Sequence, residues 1–155
     1  MIADTHIRLA TKLDAADIAA MSRDYIEHGL PWRWTYDPVM KAIDNQDTNV
    51  AEVGEHGALI AFGIMSYVDD DAHLQLLAVR RSSQRKGIGS AVLLWLEQVA
   101  YSAGSKRILV ETRSSNSVAR SFYVEHGYHK YFAKDQMYFD IEPGVGLLKQ
   151  LRNDD

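Results

Sequence analysis

Apolar residues recur along this chain in two rhythms, and each change of rhythm marks a change of element. Residues 7–10 alternate and predict a short first strand. From Asp14 the spacing changes: Ile18, Met21, Tyr25 and Ile26 predict a helix over 14–28, capped by Asp14 and stopped by Gly29 and Pro31. A ring-dense loop, Trp32-Arg33-Trp34-Thr35-Tyr36, leads to Asp37-Pro38, read as the cap and first residue of a second short helix. Strands are predicted over 50–55 and 58–67 around the tight turn His56-Gly57, and over 73–79 after the turn Asp69-Asp70-Asp71. The longest helical stretch, 88–103, ends at Gly104, and a strand follows over 107–112. Asn116 caps a helix over 117–126 stopped by Gly127, and two last strands are expected over 128–132 and 136–141. The order β-α-α-β-β-β-α-β-α-β-β implies an α/β (α+β) fold, a mixed sheet with helices packed against it. One domain is expected over 1–142, with a tail over 143–155 that opens at Glu142-Pro143-Gly144.

Composition narrows the class. The chain has 155 residues, 46% hydrophobic and 25% charged, as befits a globular domain long enough to bury a core. A formal net charge of −4 argues against a nucleic-acid partner, since such binders carry excess Lys and Arg against backbone phosphates. The absence of Cys excludes a disulfide framework, a thiolate metal site and an acyl-cysteine step. None of the six His falls in His-Glu-x-x-His or another metal-ligand spacing, so no metal is expected. Residues 1–16 have no signal-like apolar run and no later stretch is long enough to span a bilayer. A cytoplasmic protein with no membrane partner is the expectation.

Positive charge gathers at one place. Arg80, Arg81, Arg85 and Lys86 surround the turn Gln84-Arg85-Lys86-Gly87-Ile88-Gly89, between the apolar run 74–79 and the longest helix. A strand that stops in such a turn and restarts as a helix leaves the first helical N–H groups unpaired and facing the turn. Glycine at 87 and 89 removes the Cβ atoms that would hold a phosphate off the backbone. A P-loop is excluded because no Gly-Lys pair occurs in the chain. A dinucleotide fingerprint fits poorly because its third glycine is replaced by Val92. What remains is Gln84-x-x-Gly87-x-Gly89 behind Leu77-Ala78-Val79. Downstream, on a predicted helix, stands Asn116-x-x-Ala119-x-x-x-Tyr123-x-x-x-Gly127-Tyr128. Together these blocks resemble the GNAT family of N-acetyltransferases.

That resemblance implies a mostly antiparallel, twisted sheet of about seven strands with a splayed central pair and about four helices, and acetyl-CoA as the acyl donor. It implies donor contacts from Leu77, Ala78, Val79, Gln84, Arg85, Lys86, Gly87, Ile88, Gly89, Ser90, Asn116, Ala119 and Tyr123, the last as the acid that protonates the departing thiolate. Arg80, Arg81 and Lys86 are left to meet the adenosine-side phosphate or to be solvated. Each of these also has a plainer role: Asn116 as a helix cap, Tyr123 as a core aromatic. Many members of the family carry glutamate where this chain has His73 and Gln75, which leaves His73 as a candidate base, or a water chain ending at Glu27, His28 or Glu111. The acceptor, a small-molecule or peptide amine, is expected against Glu27, Trp32, Arg33, Trp34 and Tyr36, unless those rings are a plug at the sheet end. The rival readings are a CoA-binding sensor without catalysis and, last, a nucleic-acid binder. Pairing of the final strands with a second subunit, as a homodimer, stays open.

Overall fold

The computed structural model describes residues 6–138 and 142–152. Packing divides the chain into two compact units: one takes the chain up to Ser66 with Gln75–Val99, the other Tyr67–Leu74 and the chain from Ala100 on.

In the first unit, β1 (Arg8–Leu9) pairs antiparallel with β2 (Thr48–Glu55), which pairs antiparallel with β3 (Ala58–Val68). The β2–β3 turn is His56-Gly57, with φ of 53° and 79°, the left-handed pair that a two-residue hairpin requires. The expected helix over 14–28 is a composite: a 3-10 turn Lys12–Asp14, then α1 (Ala15–Met21), then a π-helical turn Ser22–Ile26. Helix α2 (Tyr36–Asp44) begins after Thr35, slightly ahead of the expected Asp37, and Pro38 falls in its first turn, where a missing N–H costs nothing. Ile18, Val39, Phe62, Ile64 and Leu76, from α1, α2 and the strands, form one buried cluster. Gly63 lets α3 (Ile88–Ser102) come close to β3. A Cβ there would stand 2.8 Å from Leu96 Cδ1 and 3.2 Å from Val92 Cγ1.

Strand β4 (Asp71–Val79), of which residues 71–74 belong to the second unit, begins two residues before the expected start. Asp69 (φ 55°) makes the turn, while Asp71 joins the strand and pairs with Arg107 at 2.8 Å across the parallel ladder to β5 (Arg107–Arg113). That ladder ends at Leu74↔Val110, the last paired position before β4 enters the first unit. Helix α4 (Ser117–Glu125) precedes β6 (His129–Tyr138), and β7 (Glu142–Gln150) lies between β5 and β6, antiparallel to both. Past β7, the Leu151 N–H donates to the Lys106 carbonyl at 2.8 Å. The Arg152 guanidinium donates to the Ser105 and Tyr101 carbonyls and lies 4.0 Å from the Tyr101 ring centroid.

Two expectations are corrected here. The strands expected over 128–132 and 136–141 are one strand, β6, with register shifts at Lys130/Phe132 and Lys134/Tyr138; residues 139–141 lie outside the described residues. The tail expected from Pro143 is instead β7 through Gln150, with Val145 and Leu147 buried; residues 153–155 lie outside the described residues. The Pro-Gly-x-Gly run reads as a turn, but Gly146 is there to let two rings cross the strand. A Cβ on it would stand 2.7 Å from Phe132 Cε1 and 2.9 Å from Tyr131 Cε1. The hydrogen-bonded order is β1-β2-β3-β4-β5-β7-β6, a mostly antiparallel sheet of seven strands with four α-helices among the described residues. No helix among them is long and apolar enough to cross a membrane.

Gly146→Ala tests the ring crossing. The methyl must displace two stiff rings packed edge-on to each other, so the variant should lose about 1–3 kcal/mol in urea unfolding, as overpacked sites do. Gly57→Ala, where open space surrounds the Cα, meets only backbone strain and should lose about 1 kcal/mol.

Candidate active site

The turn between β4 and α3 lies in the first unit, and a few hydrogen bonds fix its shape. Arg80 N–H donates to the Ile60 carbonyl at 2.7 Å, and its guanidinium donates twice to the Leu59 carbonyl, at 2.9 and 2.6 Å. Arg80, left in the sequence to meet a phosphate or to be solvated, is thus tied to β3 through two of its guanidinium nitrogens. A 3-10 turn, Arg81–Ser83, follows, and its first amide donates to the Tyr25 hydroxyl at 3.3 Å. The Gln84 side-chain amide donates back to the Val79 carbonyl at 2.9 Å, so this residue shapes the loop from within. Arg85 (φ 63°) and Gly87 (φ 79°) are both left-handed, which curls neighbouring amides toward one side.

Among the described residues, the amides of residues 85–89 have no acceptor. The first helical bond of α3 closes only at Ala91 N–H to the Gly87 carbonyl, 3.0 Å. Buried Ile88 tacks the helix head into the core, and Arg81, Arg85 and Lys86 are exposed beside it. Leu77, Val79, Gly89 and Ser90 are half-buried and Ala78 is buried. Unpaired amides, a helix head and exposed cations together favour a compact polyanion such as a diphosphate. The residues present thus fit the phosphate end of coenzyme A.

The second unit holds the other block. Asn116 Oδ1 accepts from Ala119 N–H at 3.0 Å, capping α4, and half-buried Ala119 follows one turn later. Tyr123 is 6% exposed, its ring edge-on to Phe122 at 5.2 Å and to Tyr128 at 5.4 Å. Gly127 (φ 93°) ends the helix and returns the chain so that Tyr128 N–H donates to the Tyr123 carbonyl at 3.0 Å. On β4, half-buried His73 and buried Ala72 and Leu74 alternate. On β5, exposed Glu111 lies on the same face as Leu109, the residue opposite His73. Two polar atoms not singled out in the sequence are buried without a partner among the described residues: Thr112 Oγ1 on β5 and Arg120 Nε on α4. Burial, with the charges of Glu111 and Asp71 adding to it, pushes the Tyr131 phenol up from its ordinary pKa, so it stays protonated at neutral pH.

The rings expected on the acceptor side divide between the core and the surface. Trp34 packs against the core cluster, which is the plug role. Trp32 is exposed, with the Arg23 guanidinium 5.3 Å from its ring centroid, and Arg33 and Tyr36 are exposed as well. Glu27, expected to line the acceptor surface, is 1% exposed. Its carboxylate accepts from the Ser22 hydroxyl at 2.7 Å, from Arg33 N–H at 2.7 Å and from Trp34 N–H at 3.2 Å. It supports the loop from below.

Known proteins agree with this fold. An uncharacterized N-acetyltransferase of Methanocaldococcus jannaschii is 31% identical over 105 residues, covering 67% of this chain. The chain spans 66% of that relative, just under two thirds of its length. The [ribosomal protein bS18]-alanine N-acetyltransferase of Escherichia coli is 26% identical over 121 residues, 77% of this chain and 80% of that one. The PaiA N-acetyltransferase of Thermoplasma acidophilum, solved in complex with coenzyme A, superposes with a TM-score of 0.78 at 20% identity, covering 95% of this chain and 99% of that one. The family model described as Acetyltransferase (GNAT) family matches residues 16–128, a span that includes both the glycine turn and the α4 block, and the chain belongs to that family.

Proposed function

We propose that the protein moves an acetyl group from acetyl-CoA to a primary amine, by direct transfer with both substrates bound, and that the amine is the N-terminus of a peptide or protein. The observation that carries the donor half is the row of amides at residues 85–89 without a protein acceptor among the described residues, beside exposed Arg81, Arg85 and Lys86. Membership of the family and the coenzyme A held by the Thermoplasma neighbour support it. The peptide acceptor is supported by the Escherichia coli relative, named for acetylating an alanine of a ribosomal protein. A small-molecule amine is the alternative.

Acetyl-CoA supplies a thioester already activated toward amines. The chain's task is to hold the donor's phosphates, deliver an unprotonated amine and protonate the leaving sulfur. The amides of 85–89 and the exposed cations take the phosphate charge. The Tyr123 phenol, kept in orientation by Phe122 and Tyr128, gives its proton to the sulfur as the C–S bond breaks and the N–C bond forms. The amine's proton leaves to a base on the face shared by His73 and Glu111. Glu111 is the better placed of the two, because it is exposed and its negative charge also draws in the ammonium form. With no Cys in the chain, no thiol is available to take the acetyl group first.

Three outcomes follow when free thiol release is measured across amines and peptides beginning with alanine. Tyr123→Phe should lower kcat by about 10²-fold or more while coenzyme A affinity stays within about twofold. Tight coenzyme A binding with no turnover on any amine would instead favour the sensor reading. Glu111→Gln should lower kcat/KM by about 10²-fold and remove the acidic limb of the pH profile, whereas His73→Gln should cost about tenfold at most. The reverse ranking would pass the base to the imidazole. Lys86→Ala should weaken coenzyme A binding several-fold at low salt, and the difference should shrink as salt screens it.

A further inference from the structure

The π-helical turn Ser22–Ile26 ends on Glu27, whose carboxylate is buried at 1% exposure. Among the described residues its hydrogen-bond donors are uncharged: the Ser22 hydroxyl, itself fully buried, and the amides of Arg33 and Trp34. The wide turn is what brings them together. A π turn bonds five residues back, here Glu27 N–H to the Ser22 carbonyl at 2.7 Å, and this sets the Ser22 hydroxyl beside the Glu27 carboxylate. An ordinary α-helical continuation would rotate Glu27 by about 100° for each residue of register and take it off the loop.

In the loop above, Leu30 N–H donates to the Glu27 carbonyl at 2.9 Å. Gly29 (φ 78°) turns it, Pro31 has no amide to donate, and the next two amides past Trp32 both end on Glu27. Held so, Trp34 turns into the core while Trp32, with Arg23 beside its ring, and Arg33 face outward. The Glu27 side chain thus holds the two amides that lie between the outward Trp32 ring and the inward Trp34 ring. The same turn carries Tyr25, whose hydroxyl accepts from Arg81 N–H at the entrance of the donor turn, so the support is pinned at both ends within the first unit.

We infer that Glu27 is a positioning residue for acceptor selection. From beneath, its carboxylate sets the conformation of residues 30–34, and through them the amine substrate that the loop accepts. The kinetic part rests on the acetyl-transfer reading above; the conformational part does not.

The test uses the full chain with Trp95→Phe as background, so that Trp32 and Trp34 are the only indoles that report. Glu27→Ala should red-shift indole emission and raise acrylamide quenching as Trp34 loses its seat. Acceptor KM should rise about tenfold, with kcat changed less than about threefold and coenzyme A Kd within about twofold. Glu27→Gln, which keeps one accepting oxygen, should fall between parent and Ala, and this partial rescue marks the carboxylate rather than side-chain volume. Should Glu27→Ala fail to fold, Glu27→Gln and Ser22→Ala carry the same comparison. Unchanged emission together with unchanged acceptor KM overturns the inference, and so does an equal loss of affinity for both substrates. If the parent turns over no amine, the acetyl-transfer reading fails and emission alone decides: a red shift sustains the loop's dependence on Glu27, and no shift overturns it.

Discussion

A buried or helical backbone amide needs an acceptor, and at the head of α3 this chain withholds it. The amides of residues 85–89 have no protein acceptor among the described residues. Arg80 is fastened to the Leu59 carbonyl and the Gln84 side chain to Val79. The helix itself is brought in over Gly63 and anchored by Ile88. Bonds made by Arg80 and Gln84 thus hold the shape of a turn whose own amides have no protein acceptor among the described residues.

Two buried glutamates show how differently the fold uses one side chain. Glu52, on β2, stands opposite Arg8 on β1 and is paired with its guanidinium, so it joins an edge strand of two residues to the sheet. Glu27 has neutral donors around it among the described residues and holds a loop instead of a strand. The first needs an opposite charge because its partner is a side chain. The second needs oriented dipoles, because its work is to gather backbone.

Much of this was readable in the residues. The helix cap at Asn116, the left-handed hairpin at His56-Gly57 and the glycine turn before α3 are local decisions, and each was visible as a local pattern. What escaped was decided by partners far along the chain. Pro143, Gly144 and Gly146 spell a turn on their own; they form a strand because rings from β6 need to cross at Gly146 and because Val145 and Leu147 are buried. The partners of Glu27 were equally hidden, since the groups it holds at Arg33 and Trp34 are main-chain amides that every residue but proline carries. Of the three rings expected around an acceptor, the sequence could not say that Trp34 would turn inward.

The left-handed backbone at Arg85 has one more implication. Glycine would occupy φ 63° without strain, and an L-residue with a long side chain there gives up about 1 kcal/mol of conformational ease. The chain nevertheless sets a guanidinium at this bend, next to amides that lack acceptors. A glycine in its stead would relieve that strain and take a positive charge away from the entry to the helix.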